Sequence, residues 1–168
     1  MAIPPEVWLR GPIEGIVPLL QPAAHALVQA GEDVIAAVEG LTHGQLWARP
    51  GGVASIGFHL AHLPSSVGRL VAYSRGESLT AAQLETLAAE RTVHADRPEI
   101  APLLAALTTG LNAAIAHLRT LSSEGLLAPR AVGRKQLPST TLGLIFHAAE
   151  HASRHAGQVV TLAKIVRG

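Results

Sequence analysis

The stretch TTLGLIFHAAEHASRHAGQVVTLAKIVR, residues 140–167, carries the pattern from which the rest of the chain is read. It holds His147, His151 and His155, each four residues after the last. An α-helix turns by about 100° per residue, so residues four apart stand nearly above one another. Ser139, Thr140 or Thr141 can cap its start just after Pro138, and no proline follows. On a helical wheel Leu144, Ala148, Val159, Leu162 and Val166 share one sector, while Glu150, Arg154, Thr161 and Lys164 fall outside it. His155 lies in the middle of the apolar sector, His151 at its side and His147 toward the polar boundary. The pair aimed at a core is therefore His151 and His155. A lone histidine on an apolar face is an ordinary core residue with its hydrogen bonds made. Two in one stripe must each find partners for both ring nitrogens. Imidazoles at this spacing can grip one metal ion.

Length and composition bound the partners. A chain of 168 residues can fill one core, and residues 1–168 read as one domain. There is no cysteine, which excludes disulfides, thiolate zinc sites and a thiol nucleophile of the chain's own. The start, with Pro4-Pro5 and Glu6, lacks the basic and apolar regions of a signal peptide, so a cytoplasmic protein is expected. A net charge of +1 and 3% aromatic residues argue against nucleic acid as a partner. The uncharged runs at residues 15–31 and 100–117 reach the length of a membrane span. Their His, Gln, Asn, Thr, Gly and Pro content suits buried bundle helices instead, and no membrane is expected.

Further along the chain, a first helix runs from Pro18 or Pro22 to Glu39, with Leu27, Val34, Ile35 and Val38 among its apolar positions and Gly40 as its stop. A second runs from Ser55 to Ser74, carries His59 and His62, and should kink at Pro64. Residues 77–98 are polar, with a short helix capped by Ser78 or Thr80. A third long helix spans Pro98 to Ser122 with Leu104, Leu107, Leu111, Ile115 and Leu118 as its stripe, and residues 123–138 read as a loop. A faint repeat relates residues 35–51 to 115–131, each followed by a helix that opens Ser-Ile-Gly (55–57) or Thr-Leu-Gly (141–143). The fold class is all-α. The long polar link allows a crossover between the second and third long helices.

An open zinc site needs three protein ligands, so the second helix must supply one. His59 and His62 stand three apart, and only one of them can face the pair on the last helix. The wheel puts His59 nearer the core. The segments SIGFHLAHL (55–63) and HAAEHASRHAGQ (147–158) resemble those of the DinB/YfiT-like four-helix-bundle metalloproteins, over nearly the whole chain. The resemblance implies His62, followed by Leu63, with His151 and His155, before Gly157-Gln158, as the metal ligands. It also implies an up-down-down-up bundle, a homodimer, and an S-transferase using a low-molecular-weight thiol, or a hydrolase, acting on a small-molecule substrate. Pro64-Ser65 departs from the family, where a small residue and an acid often follow. Three neutral imidazoles can take Zn, the first expectation, or Ni, Fe or Mn. Such an ion lowers the pKa of a water or thiol held against it.

The same residues allow other readings. His147-Ala-Ala-Glu150-His151 spells the H-x-x-E-H of an inverted zincin peptidase, with Glu150 as base. Such a peptidase needs a further ligand, commonly a carboxylate, and residues 152–168 hold no Asp or Glu. Glu150 can instead pair with Arg154 on a solvated face. Arg130, Arg134 and Lys135 could gather an anionic substrate near the start of the last helix. His25, His43, His94 and His117 are scattered and read as surface or structural residues, and Trp47 as packing for a bundle end. A metal-free helical bundle that binds a small ligand or dimerises is the non-enzymatic alternative.

Overall fold

Ser55 and Thr140 start the two histidine helices by the same means. Each side-chain oxygen accepts a backbone N–H three residues on, Phe58 at 3.1 Å and Gly143 at 3.0 Å. The computed structural model describes residues 5–168. In chain order the helices are α1 (Gln21–Val38), α2 (His43–Trp47), α3 (Ile56–Ser74), α4 (Ala81–Ala89), α5 (Val93–Asp96), α6 (Ile100–Leu118) and α7 (Thr141–Arg167). The protein is mostly helical, as its patterning requires. α7 packs against α1 and α3, α6 packs against the other sides of both, and their buried faces form the core.

Helix ends show how these elements run. Arg167 at the end of α7 donates to the carbonyls of Ala37 and Glu39 at the end of α1, at 2.9 and 2.8 Å. Thr141 at the start of α7 donates to the carbonyl of Ser74 at the end of α3, at 3.4 Å. His117 near the end of α6 meets the hydroxyl of Ser74 at 3.0 Å. α3 continues as one helix through Pro64, and α6 comes closest there. A Cβ on Gly110 would stand 2.8 Å from that of Pro64, so only glycine permits the approach.

Several expected details shift. In α6 Leu103 is buried and Leu104 only partly so, and in α1 Ile35 points outward while Leu27, Val34 and Val38 are buried. α6 is long and apolar enough, by length and composition, to cross a membrane; Leu107, Leu111 and Leu118 bury its inner face in the core. The connection after α1 contains α2, opened by a reciprocal cap between Thr42 and Gln45. The expected loop at 123–138 holds an antiparallel hairpin, β1 (Pro129–Val132) with β2 (Leu137–Thr140). Proline in both strands hides it from propensity. The chain before and at the hairpin also completes the start of α7. Thr141 donates to the Ala128 carbonyl at 3.2 Å and Leu142 to that of Leu126 at 2.8 Å, satisfying two of the helix's otherwise orphaned N–H groups. No hairpin lies between α1 and α3, so the faint repeat does not extend to the connections.

Trp47 is buried against the start of α3. Its ring lies on Gly57, where an added Cβ would meet three ring carbons at 2.6–2.7 Å, and its indole N–H donates to the Pro98 carbonyl at 3.2 Å. Gly57→Ala is therefore expected to lower stability by about 1–3 kcal/mol through overpacking. Equal urea midpoints for Gly57→Ala and the parent would show that the indole moves aside freely.

Candidate metal centre

α3 and α7 cross where both carry histidines. His62 from α3 and His151 and His155 from α7 bring ligand nitrogens within 4.8 Å of one another. The Nε2 atoms of His62 and His151 are 3.1 Å apart. Two nitrogens bound tetrahedrally to one zinc at about 2.0–2.1 Å stand about 3.3 Å apart, so this pair already has nearly the required spacing. All three rings are partly buried, whereas His147 is exposed and outside the group.

The second nitrogen of each ring decides how it can act. The Nδ1 of His62 is 2.7 Å from a carboxylate oxygen of Glu90, which fixes the ring and frees Nε2 as a ligand. Glu90, just past α4, is held in turn by the Ser65 hydroxyl and by Arg69, each at 2.7 Å, and Arg69 also bonds Ser65. The side chains of His62, Glu90 and Arg69 are 18%, 11% and 13% exposed, so this chain of contacts is sheltered. Burial alone would raise the Glu90 carboxyl, but hydrogen bonds from His62, Ser65 and Arg69 and the charge of Arg69 outweigh it and bring it down to about 2. Ser65 thus anchors an acid that arrives from a distant segment.

His59 lies outside the three-histidine group. It lies deeper, as the wheel placed it, with its Nδ1 2.8 Å from the Nδ1 of His155. Burial pushes His59 down to about 4, helped by His62 and His94, and pushes His155 down to about 3, helped by His151, His62 and His59. His151 is lowered by burial and by His62. These rings are held neutral, the form that binds metal. Phe58 stacks between His62 and His94, with ring centroids 5.5 and 5.6 Å away. His94 also meets the Ser55 hydroxyl at 3.0 Å and the edge of Trp47, so its role is structural.

A depressed histidine pKa gives stability a definite slope. Below about 6.5 the unfolded rings take protons that the folded rings of His59 and His155 refuse until about 4 and 3. The unfolded state then binds more protons, so stability must fall as pH falls through that window. Metal-free protein should lose on the order of 2 kcal/mol between pH 7 and pH 5, allowing for the solvent that reaches the half-buried His155 ring. Urea titrations with chelator at pH 7, 6 and 5 measure this; a flat profile would mean that the folded rings accept protons.

The basic loop is not at this centre. Arg130 donates to the Ser74 carbonyl at 2.7 Å, beside the start of α7, and Arg134 and Lys135 lie in the hairpin turn. Thr141 to His151 is about 15 Å along the helix at about 1.5 Å per residue, too far for one small substrate to touch loop and ligands together. Glu150 pairs with Arg154, with Arg154 Nε 2.9 Å from its carboxylate. Glu90, Ser65 and Arg69 were not foreseen; Glu90 lies in the polar link, with nothing local to connect it to His62.

A family model described as the DinB superfamily matches residues 26–159, a span that includes all three histidines. No curated protein matches. Among solved structures, a conserved protein from Enterococcus faecalis superposes with a TM-score of 0.72 at 17% identity, covering 90% of this chain and 99% of its own. At that identity the likeness speaks for the fold alone. With the family model spanning most of its length, the chain belongs to the DinB superfamily.

Proposed function

We propose that this protein is a metal-dependent enzyme whose His62, His151 and His155 hold one divalent ion, with a small thiol or a water attacking a small electrophilic substrate. The observation that carries the reading is the meeting of three partly buried imidazoles from two helices, two of them, His151 and His155, held toward the neutral form by burial. A divalent ion held there supplies a Lewis acid that makes a thiol or water a nucleophile at neutral pH. Zinc suits three nitrogen ligands with an open position, and nickel, iron and manganese are the alternatives. Glu90 would orient His62, and His59 would orient His155.

Thiol transfer is the reaction favoured over hydrolysis. Both carboxylates beside the cluster are engaged, Glu90 with His62, Ser65 and Arg69, and Glu150 with Arg154. Neither is free to act as a general base for water. The cysteine-free chain requires the thiol to arrive as a small cosubstrate. The helix-end contacts of α7 with α1 and α3, and of α6 with α3, support an up-down-down-up four-helix bundle. A homodimer is proposed from the family resemblance, and a cytoplasmic location from the cysteine-free composition.

Metal analysis of protein purified without a metal-affinity tag should return about one equivalent. The loaded protein, given low-molecular-weight thiols and a chromogenic electrophile, should show a metal-dependent rate that His151→Ala abolishes. Ester or amide hydrolysis without any thiol-dependent rate would select the hydrolase. No bound metal after reconstitution would leave a ligand-binding bundle.

A further inference from the structure

A cleft of about 710 Å³ opens beside the histidine cluster, between α7 and the segment leading into α3. Its walls are largely apolar, with Pro50, Val53, Ala54, Leu162 and Ile165 among them. Arg154, Gln158 and Thr161 add the polar part. None of the three clustered histidines lines it, but His59 does, and His59 and Leu162 are its buried lining residues. The volume falls within the range of about 300–1,000 Å³ usual for small-molecule sites.

The two nitrogens of His59 face different ways. Its ring makes one hydrogen bond, through Nδ1 to the Nδ1 of His155 at 2.8 Å. Among the described residues no buried side-chain nitrogen or oxygen lacks a partner, so the Nε2 of His59 is reached by solvent, and the cleft is what it lines. A neutral imidazole carries one ring proton. With Nδ1 of His155 taken by His59, Nε2 is the atom left to hold an ion, and the His155 proton sits on Nδ1. That proton is donated to Nδ1 of His59, which must accept. The proton of His59 is then on Nε2, aimed into the cleft.

We infer that this cleft binds a small apolar molecule carrying one hydrogen-bond-accepting oxygen, which is received by the Nε2–H of His59. This rests on the metal reading above, which fixes the proton of His155 on Nδ1, and it adds a ligand site beside that centre. A ligand without the oxygen would fill the apolar walls but displace water from the His59 N–H and leave that donor unpaired. His59 is thereby a specificity-determining residue, one imidazole removed from the ligand set.

Acetophenone and α-methylstyrene, which differ by C=O against C=CH₂, test this on the full chain after zinc stoichiometry has been measured. Ligand-observed NMR should give acetophenone about five- to tenfold tighter binding. His59→Phe should remove the preference, and His59→Gln, whose amide N–H can stand in for Nε2–H, should keep it. In zinc-loaded protein the ring ¹⁵N shifts of His59 should report the Nε2–H tautomer. Equal binding of the two probes, a preference that survives His59→Phe, or a proton on Nδ1 of His59 would each overturn the proposal. So would a dimer that buries the cleft, seen as probe binding by the parent that is lost as protein concentration is raised through the monomer-to-dimer range. If zinc fails to load, the metal reading falls on its own. The same probes then decide the cleft on the metal-free protein, where a preference removed by His59→Phe supports the donor and equal binding overturns it.

Discussion

Alanine in place of His155 is expected to lower zinc affinity by at least about a hundredfold, and alanine in place of His147 to leave it nearly unchanged. The benchmark is that losing an outer partner of a metal ligand costs about 10- to 100-fold, so losing a ligand costs more. His155 belongs to the three-histidine group and is wedged between His151, His62 and His59, with ring centroids 4.4, 4.8 and 5.0 Å away. His147 is exposed and meets Glu150 at 3.4 Å on the solvent side. Competition against a chromophoric chelator measures both variants. Equal losses would return His147 to the ligand set and revive the H-x-x-E-H reading. Zinc at a hundred times its dissociation constant should raise the unfolding free energy of the parent by about 2.7 kcal/mol, an increment that His155→Ala loses.

Glu90→Ala should act on stability and metal at once. It strips His62 of the acceptor that orients it and leaves Arg69, 13% exposed, without its carboxylate. Breaking one side of a buried pair costs about 3–5 kcal/mol, and partial exposure reduces that here to about 2–3 kcal/mol. Zinc affinity should fall about 10- to 100-fold, the range for lost outer partners of a ligand. Glu90→Gln, which keeps an acceptor for the Nδ1–H of His62 but removes the charge, should fall between parent and Glu90→Ala on both scales. Urea unfolding and zinc competition on the same preparations separate the effects. Unchanged zinc affinity with reduced stability would make Glu90 a packing residue only.

The depth of each histidine on α7 was legible because one straight helix has one period. His155 amid Leu144, Ala148, Val159 and Leu162 had to face inward, and His147 outward, once the helix formed. On α3 the same wheel ranked His59 as deeper than His62, which is correct for burial. The ranking did not by itself assign roles. The deeper ring meets the Nδ1 of His155, and the shallower one reaches the Nε2 of His151. A wheel reports the angle about one axis, and ligand geometry depends on where two axes cross.

The sequence by itself determined the four long helices, a cap for the last among Ser139, Thr140 and Thr141, and most of the faces that had to be buried. Those follow from local backbone chemistry and from a periodicity written into neighbouring residues. The family resemblance named His62, His151 and His155, and only the tertiary structure brought them to one place. It also decided everything that depends on segments distant along the chain. Glu90 reaches His62 from the polar link, and Ser65 and Arg69 hold it there. The hairpin anchors the start of α7 while keeping Arg134 and Lys135 far from the cluster. His59 ends between His155 and a cleft. No local pattern encodes these contacts, because the helices approach according to which side chains interlock, as Gly110 does with Pro64 and Gly57 with Trp47.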